Sequence, residues 1–163
     1  APVFSFSKIG LAEIALGPEM KSTGEVMGIG HSYSEALYKA VNGAKMKIPA
    51  GGTILVTVAD RDKAEALQLA EGFKELGYHI IATEGTGKYF NDHGMPVDIV
   101  RKIHEGGQNI ATLIRNGKID LVLNTLTYGK HPERDGFNLR RMAVELAVPC
   151  LTSLDTAREV LRV

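Results

Sequence analysis

The chain has 163 residues, enough for one domain with a sizeable core. Nineteen basic residues balance nineteen acidic ones, which argues against nucleic acid or an anionic membrane as a partner. No apolar run is long enough to span a bilayer, no signal peptide is visible at the start, and the single cysteine, Cys150, excludes an internal disulfide. A reducing cytoplasm is the expected location.

In chain order, residues 1–30 read as irregular. Val3, Phe4 and Phe6 make a short apolar start, and the stretch LGPEMKSTGEVMGIG mixes glycine, proline and charge with no helical or strand period. Residues 32–42 predict a helix, capped by Ser32 or Ser34, with Leu37 and Val41 on one face and Gly43 as its stop. From about residue 50 the chain alternates strand and helix. Thr53 to Val58 is a near-continuous apolar run, as expected of a strand buried on both faces. A helix follows from Asp60 to Leu76, with Ala66, Leu69, Phe73 and Leu76 stepping by three or four. His79 to Ala82 reads as a second strand, Thr83 to Gly87 as its exit turn, and 88–93 as a short helix. Val97 to Val100 is a third strand, Gln108 to Asn116 a helix, and Ile119 to Leu123 a fourth strand. Asp135 to Leu146 is a helix, Pro149 to Leu151 a last strand, and Asp155 to Leu161 a last helix. Such alternation implies an α/β fold of three layers, a parallel sheet with helices on both faces. Ligands then bind beyond the carboxyl ends of the strands, where the strand order reverses.

Two strand exits carry polar residues suited to a ligand. In ATEGTGKYF, Thr83 and Thr86 offer hydroxyls, while Gly85 and Gly87 let backbone approach and the next helix turns free N–H groups to the same point. That suits a phosphate, and it equally suits an ordinary strand-to-helix turn with threonine caps. In NTLTYGKHP, Asn124 with Thr125 and Thr127 offers donors and acceptors, or ties up loop backbone. Lys39, Lys63 and Lys102 are the cations expected to reach these turns, although any single lysine is most often a solvated charge. The five histidines show no metal-ligand spacing, and His104 beside Glu105 is better read as structural than as an acid/base pair. No phosphate loop of the Walker type, no G-x-G-x-x-G and no nucleophilic triad can be argued from the spacing.

The run GPEMKSTGEVMGIG at 17–30 closely resembles the segment joining the second ATP-binding half of the carbamoyl phosphate synthetase large subunit to its regulatory domain. The resemblance continues through EALYKAV, ATEGTG, VRKIHEG, NGKIDLVLNT and PCLTSLDTA, covering essentially the whole chain. It implies that residues 1–24 end the synthetase portion and that 25–163 form a methylglyoxal synthase-like allosteric domain with a five-stranded parallel sheet. It also implies no catalysis and no cofactor in this domain, with ATP and magnesium used elsewhere in the parent. Its ligand would be a nucleotide effector such as UMP, or IMP, and its partners the rest of the large subunit, the glutaminase small subunit and further copies of itself. The family's effector pocket falls on the helix lysine Lys39, on Thr83 and Thr86, on Lys102, and on Asn124 and Thr125. Lys63, Gly85, Thr127 and Thr152 are further candidates. The pattern departs at Leu126, where the family's Asn-Thr-Thr run has its second threonine, and at Leu151, where an acidic neighbour of an ornithine-site threonine, here Thr152, is usual.

The rival on the same fold is a catalytic methylglyoxal synthase, which needs a carboxylate base beside a bound triose phosphate. The resemblance would place that base in a Gly-Gly-Asp run, which reads Gly106-Gly107-Gln108 here.

Overall fold

The computed structural model describes residues 1–3, 22–107, 109–126 and 135–162. Expectations for Phe4, Phe6, Gln108 and Thr127 therefore lie outside the described residues.

The N-terminal region forms a small antiparallel pair, β1 (Pro2–Val3) with β2 (Gly24–Glu25), and the Ala1 ammonium donates to the Val26 carbonyl at 2.7 Å. Helix α1 (Tyr33–Gly43) starts at Ser32, whose hydroxyl accepts from the Glu35 N–H. Residues 26–30 lie against this helix, and a Cβ at Gly28 would fall 1.9 Å from the Ala36 carbonyl oxygen, so only glycine allows the approach.

The main sheet is fully parallel, with strand order β5-β4-β3-β6-β7. Strand β3 (Gly52–Thr57) leads into a 3₁₀ turn (Asp60–Asp62) and α2 (Lys63–Glu75). Then come β4 (Tyr78–Thr83), α3 (Glu84–Asp92) and β5 (Asp98–Val100). A second 3₁₀ turn (Ile103–Glu105) precedes α4 (Ile110–Arg115) and β6 (Leu121–Asn124). Helix α5 (Asp135–Glu145), β7 (Cys150–Leu151) and α6 (Leu154–Leu161) complete the chain.

The apolar run of β3 serves two cores at once. Ile54 and Val56 face one side, with Ile80, Leu121 and Leu123 beneath α2, α3 and α6. Leu55 faces the other, with Ile81 and Val122 beneath α4 and α5. All three β3 side chains are essentially inaccessible, and each such burial stabilises the fold by about 1.5–3 kcal/mol. Every strand and helix expected from residue 50 onward is present, within a few residues.

One boundary is corrected. The segment read as a turn at 83–87 is helix: α3 begins at Glu84, directly after β4. The reason is packing. A Cβ on Gly87 would stand 2.8 Å from Ile99 Cγ1 and 3.5 Å from Ala82 Cβ, so this glycine brings α3 close against the sheet.

Candidate functional site

From β3 the chain winds outward through β4 to β5, then crosses back to place β6 on the other side of β3. The strand order reverses between β3 and β6, and a cleft of about 450 Å³ opens beyond their carboxyl ends. Thr57, Thr83 and Asn124, the last residues of β3, β4 and β6, form its floor.

The threonines are set as donors. Thr86 Oγ1 accepts from the Val58 N–H at 3.3 Å, and Thr125 Oγ1 accepts from the Ala59 N–H at 2.9 Å. Among the described residues neither hydroxyl hydrogen meets an acceptor, so both can donate to a ligand. Thr83 donates to Thr57 Oγ1 at 3.1 Å. The first turn of α3, with Gly85 and Thr86, adds the unpaired N–H groups of a helix start.

Two lysines close the sides. Lys63, at the start of α2, is mostly buried and bonds Asp60 Oδ1 at 2.7 Å, with its ammonium 6.0 Å from the Tyr89 ring centre. The hydrogen bond and charge of Lys63 hold the Asp60 carboxyl below the usual carboxylate range. Lys102 follows β5, and among the described residues its ammonium has no carboxylate partner. Opposite them, His104 Nδ1 lies 2.6 Å from Asp135 Oδ2, joining the second 3₁₀ turn to the start of α5. Arg140, buried but also lining the cleft, donates to Asn124 Oδ1 at 2.6 Å, while Asn124 Nδ2 donates to the Thr57 carbonyl at 2.9 Å.

Of the residues read from the sequence, Lys63, Thr83, Gly85, Thr86, Lys102, Asn124 and Thr125 converge here. Lys39 does not line the cleft. It lies exposed on α1 and bonds Glu35 at 2.7 Å, which holds that carboxyl below its usual range, with help from the His31 N–H. The helix lysine of this cleft is Lys63. Thr152 follows β7 and does not line the cleft either. The sequence reading had no role for Thr57, Asp60, Asp135 or Arg140. An arginine directly after the core residue Leu139 on an amphipathic helix was the available signal for Arg140.

Among the described residues no group of three or more His, Cys, Asp and Glu side chains is placed to hold a metal ion. No helix among them is long and apolar enough to cross a membrane.

The fold and cleft define a parallel α/β domain with a polar cleft at its strand switch point. A model of the MGS-like domain family matches residues 65–152, more than half of the chain, and the chain belongs to that family. Among solved structures it is similar to methylglyoxal synthase from Elizabethkingia anophelis NUHP1, with 23% identity over 71% of this chain and 80% of that one and a TM-score of 0.55. It is also similar to ForH, with 20% identity over 70% of this chain and 79% of that one and a TM-score of 0.52. At these identities the likeness is one of fold.

Proposed function

We propose that this chain is a regulatory module that binds a nucleoside monophosphate such as UMP, or IMP, and that it belongs to the large subunit of a carbamoyl phosphate synthetase. On this reading residues 1–24 end the synthetase portion, and 25–163 carry effector control of carbamoyl phosphate synthesis in the cytoplasm. The glutaminase subunit and the ATP sites lie elsewhere in the parent. The observation that carries the binding reading is the pair of buried hydroxyls, Thr86 and Thr125, which accept from backbone and keep their own hydrogens for a ligand. Lys63 and Lys102 flank them, and charge-assisted bonds to a phosphate are the strong kind. The link to the synthetase rests on the run GPEMKSTGEVMGIG and the motifs that follow it.

A catalytic reading draws on one observation. The cleft contains the carboxylates Asp60 and Asp135 and the imidazole of His104, so groups able to move a proton are near a bound phosphate ester. Against it, the position where the resemblance would place the base carries Gln108, and an amide cannot abstract a proton.

Two assays separate the readings. In a thermal-shift screen UMP or IMP should raise the melting midpoint, because a ligand that binds only the folded state stabilises it, and uridine should not. Incubation with dihydroxyacetone phosphate should yield no methylglyoxal. Turnover well above background would replace regulation by catalysis, and equal shifts with uridine and UMP would remove the phosphate from the account.

A further inference from the structure

We infer that Asp60 is a built-in counter-ion that competes with an incoming phosphate for Lys63 and so sets the affinity of the cleft, an inference that rests on the phosphate-binding reading above. The two partners are held very differently. The Lys63 side chain is only 16% exposed, whereas that of Asp60 is 95% exposed. Lys63 is fixed by its surroundings: its ammonium faces the Tyr89 ring and lies 3.7 Å from where a Cβ on Gly85 would stand, over the first turn of α3. Asp60 reaches in from solvent, and among the described residues its carboxylate has no hydrogen-bond partner except Lys63. A ligand cannot easily move the lysine, but it can release the aspartate into water at little cost.

The chemistry runs the same way. An ammonium has three donors, and a carboxylate and a phosphate both seek them. Their negative charges repel, so both cannot sit close to Lys63 without loss. The hydrogen bond and charge of Lys63 lower the pKa of the Asp60 carboxyl, so the aspartate is ionised at neutral pH, where a phosphate monoester is charged too. Lys102, on the other side, has no such competitor among the described residues. Of the two lysines of the cleft, one is therefore open and one already answered. Any phosphate ligand gains less from Lys63 than a bare lysine would give. Removing the Asp60 charge should accordingly strengthen binding, a direction opposite to that of an ordinary contact residue.

The test is calorimetry on the full chain with two probes, UMP and inorganic phosphate, for wild type, Asp60→Asn, Lys63→Ala and the double variant. Asp60→Asn should bind both probes about two- to tenfold more tightly at low salt, the range for an exposed ion pair plus a relieved like charge. The gain should shrink with added salt and vanish in the Lys63→Ala background. If Asp60→Asn binds as wild type does or more weakly, while Lys63→Ala still loses affinity, Asp60 is a positioning or ligand-contacting group and the inference fails with the phosphate site intact. If neither probe binds wild type or Asp60→Asn, the phosphate reading itself is wrong and the inference falls with it.

Discussion

Arg140 and Asn124, both buried, meet at the wall of the cleft, with Nη1 donating to Oδ1 at 2.6 Å. A guanidinium only donates, and the Thr57 carbonyl on the other side of the amide only accepts. The two neighbours together allow one orientation of the Asn124 side chain. Gly136 makes room for this: a Cβ there would stand 3.2 Å from Arg140 Nη1 and 3.6 Å from Asn124 Oδ1.

Replacing Arg140 should therefore be costly in stability. Arg140→Met leaves the buried Asn124 oxygen without its donor, which costs about 1–3 kcal/mol. Urea denaturation should show a lower midpoint with an unchanged slope. Arg140→Lys, which keeps a donor on the same side, should lose less.

The sheet could be read from the sequence because its strands are buried on both faces. Ile54, Leu55 and Val56 show this as an unbroken apolar run, and Gly77 and Gly117 mark where α2 and α4 stop. The start of α3 was hidden because Gly85 and Gly87 look like turn residues, whereas Gly87 is required by contact with Ile99, which is distant in sequence. Which lysine reaches the cleft was not legible for a similar reason. Lys39 and Lys63 both lie on helices, and only the order of the strands brings one of them to the cleft with Thr86. The pairs Asp135–His104 and Arg140–Asn124 join residues far apart along the chain, so no local spacing announces them.

The glycines of α3 should separate cleanly. Gly87→Ala forces a methyl group against Ile99, an overpacking that should cost about 1–3 kcal/mol in chemical denaturation. In Gly85→Ala the new methyl would sit 3.7 Å from Lys63 Nζ, an ordinary contact. That variant should match wild type in stability or gain up to about 1 kcal/mol from better helix propensity. Equal losses from both would mean that α3 does not pack on the sheet through Gly87.

Helix α5 ends in a strained residue. Ala147 has φ of 57°, and the bonds from Ala147 N–H to the Val144 carbonyl and from Val148 N–H to the Ala143 carbonyl close the helix end around it. A side chain in this left-handed region costs about 1–2 kcal/mol, which glycine avoids while losing more entropy on folding. Ala147→Gly should stabilise the protein by about 0.5–1 kcal/mol net. A lower midpoint in the variant would show that the residue is not held left-handed in solution.

The last prediction asks which cations take the ligand. Lys63 and Lys102 line the cleft with Thr83, Thr86 and Thr125, and Lys39 lies outside it, bonded to Glu35. A charge-assisted hydrogen bond to a phosphate contributes about 1.5–3 kcal/mol, or about ten- to a hundredfold in affinity. Lys63→Ala and Lys102→Ala should each weaken UMP binding in calorimetry. Lys102→Ala should show the larger loss, because Asp60 already offsets part of the charge of Lys63. Lys39→Ala should leave affinity within about twofold of wild type, since a solvated charge outside the cleft is largely screened. Uridine, lacking the phosphate, should bind the wild type and the two cleft-lysine variants alike. If Lys39→Ala abolished binding while Lys63→Ala did not, the ligand would sit at α1, and the cleft beyond β3 and β6 would not be its site.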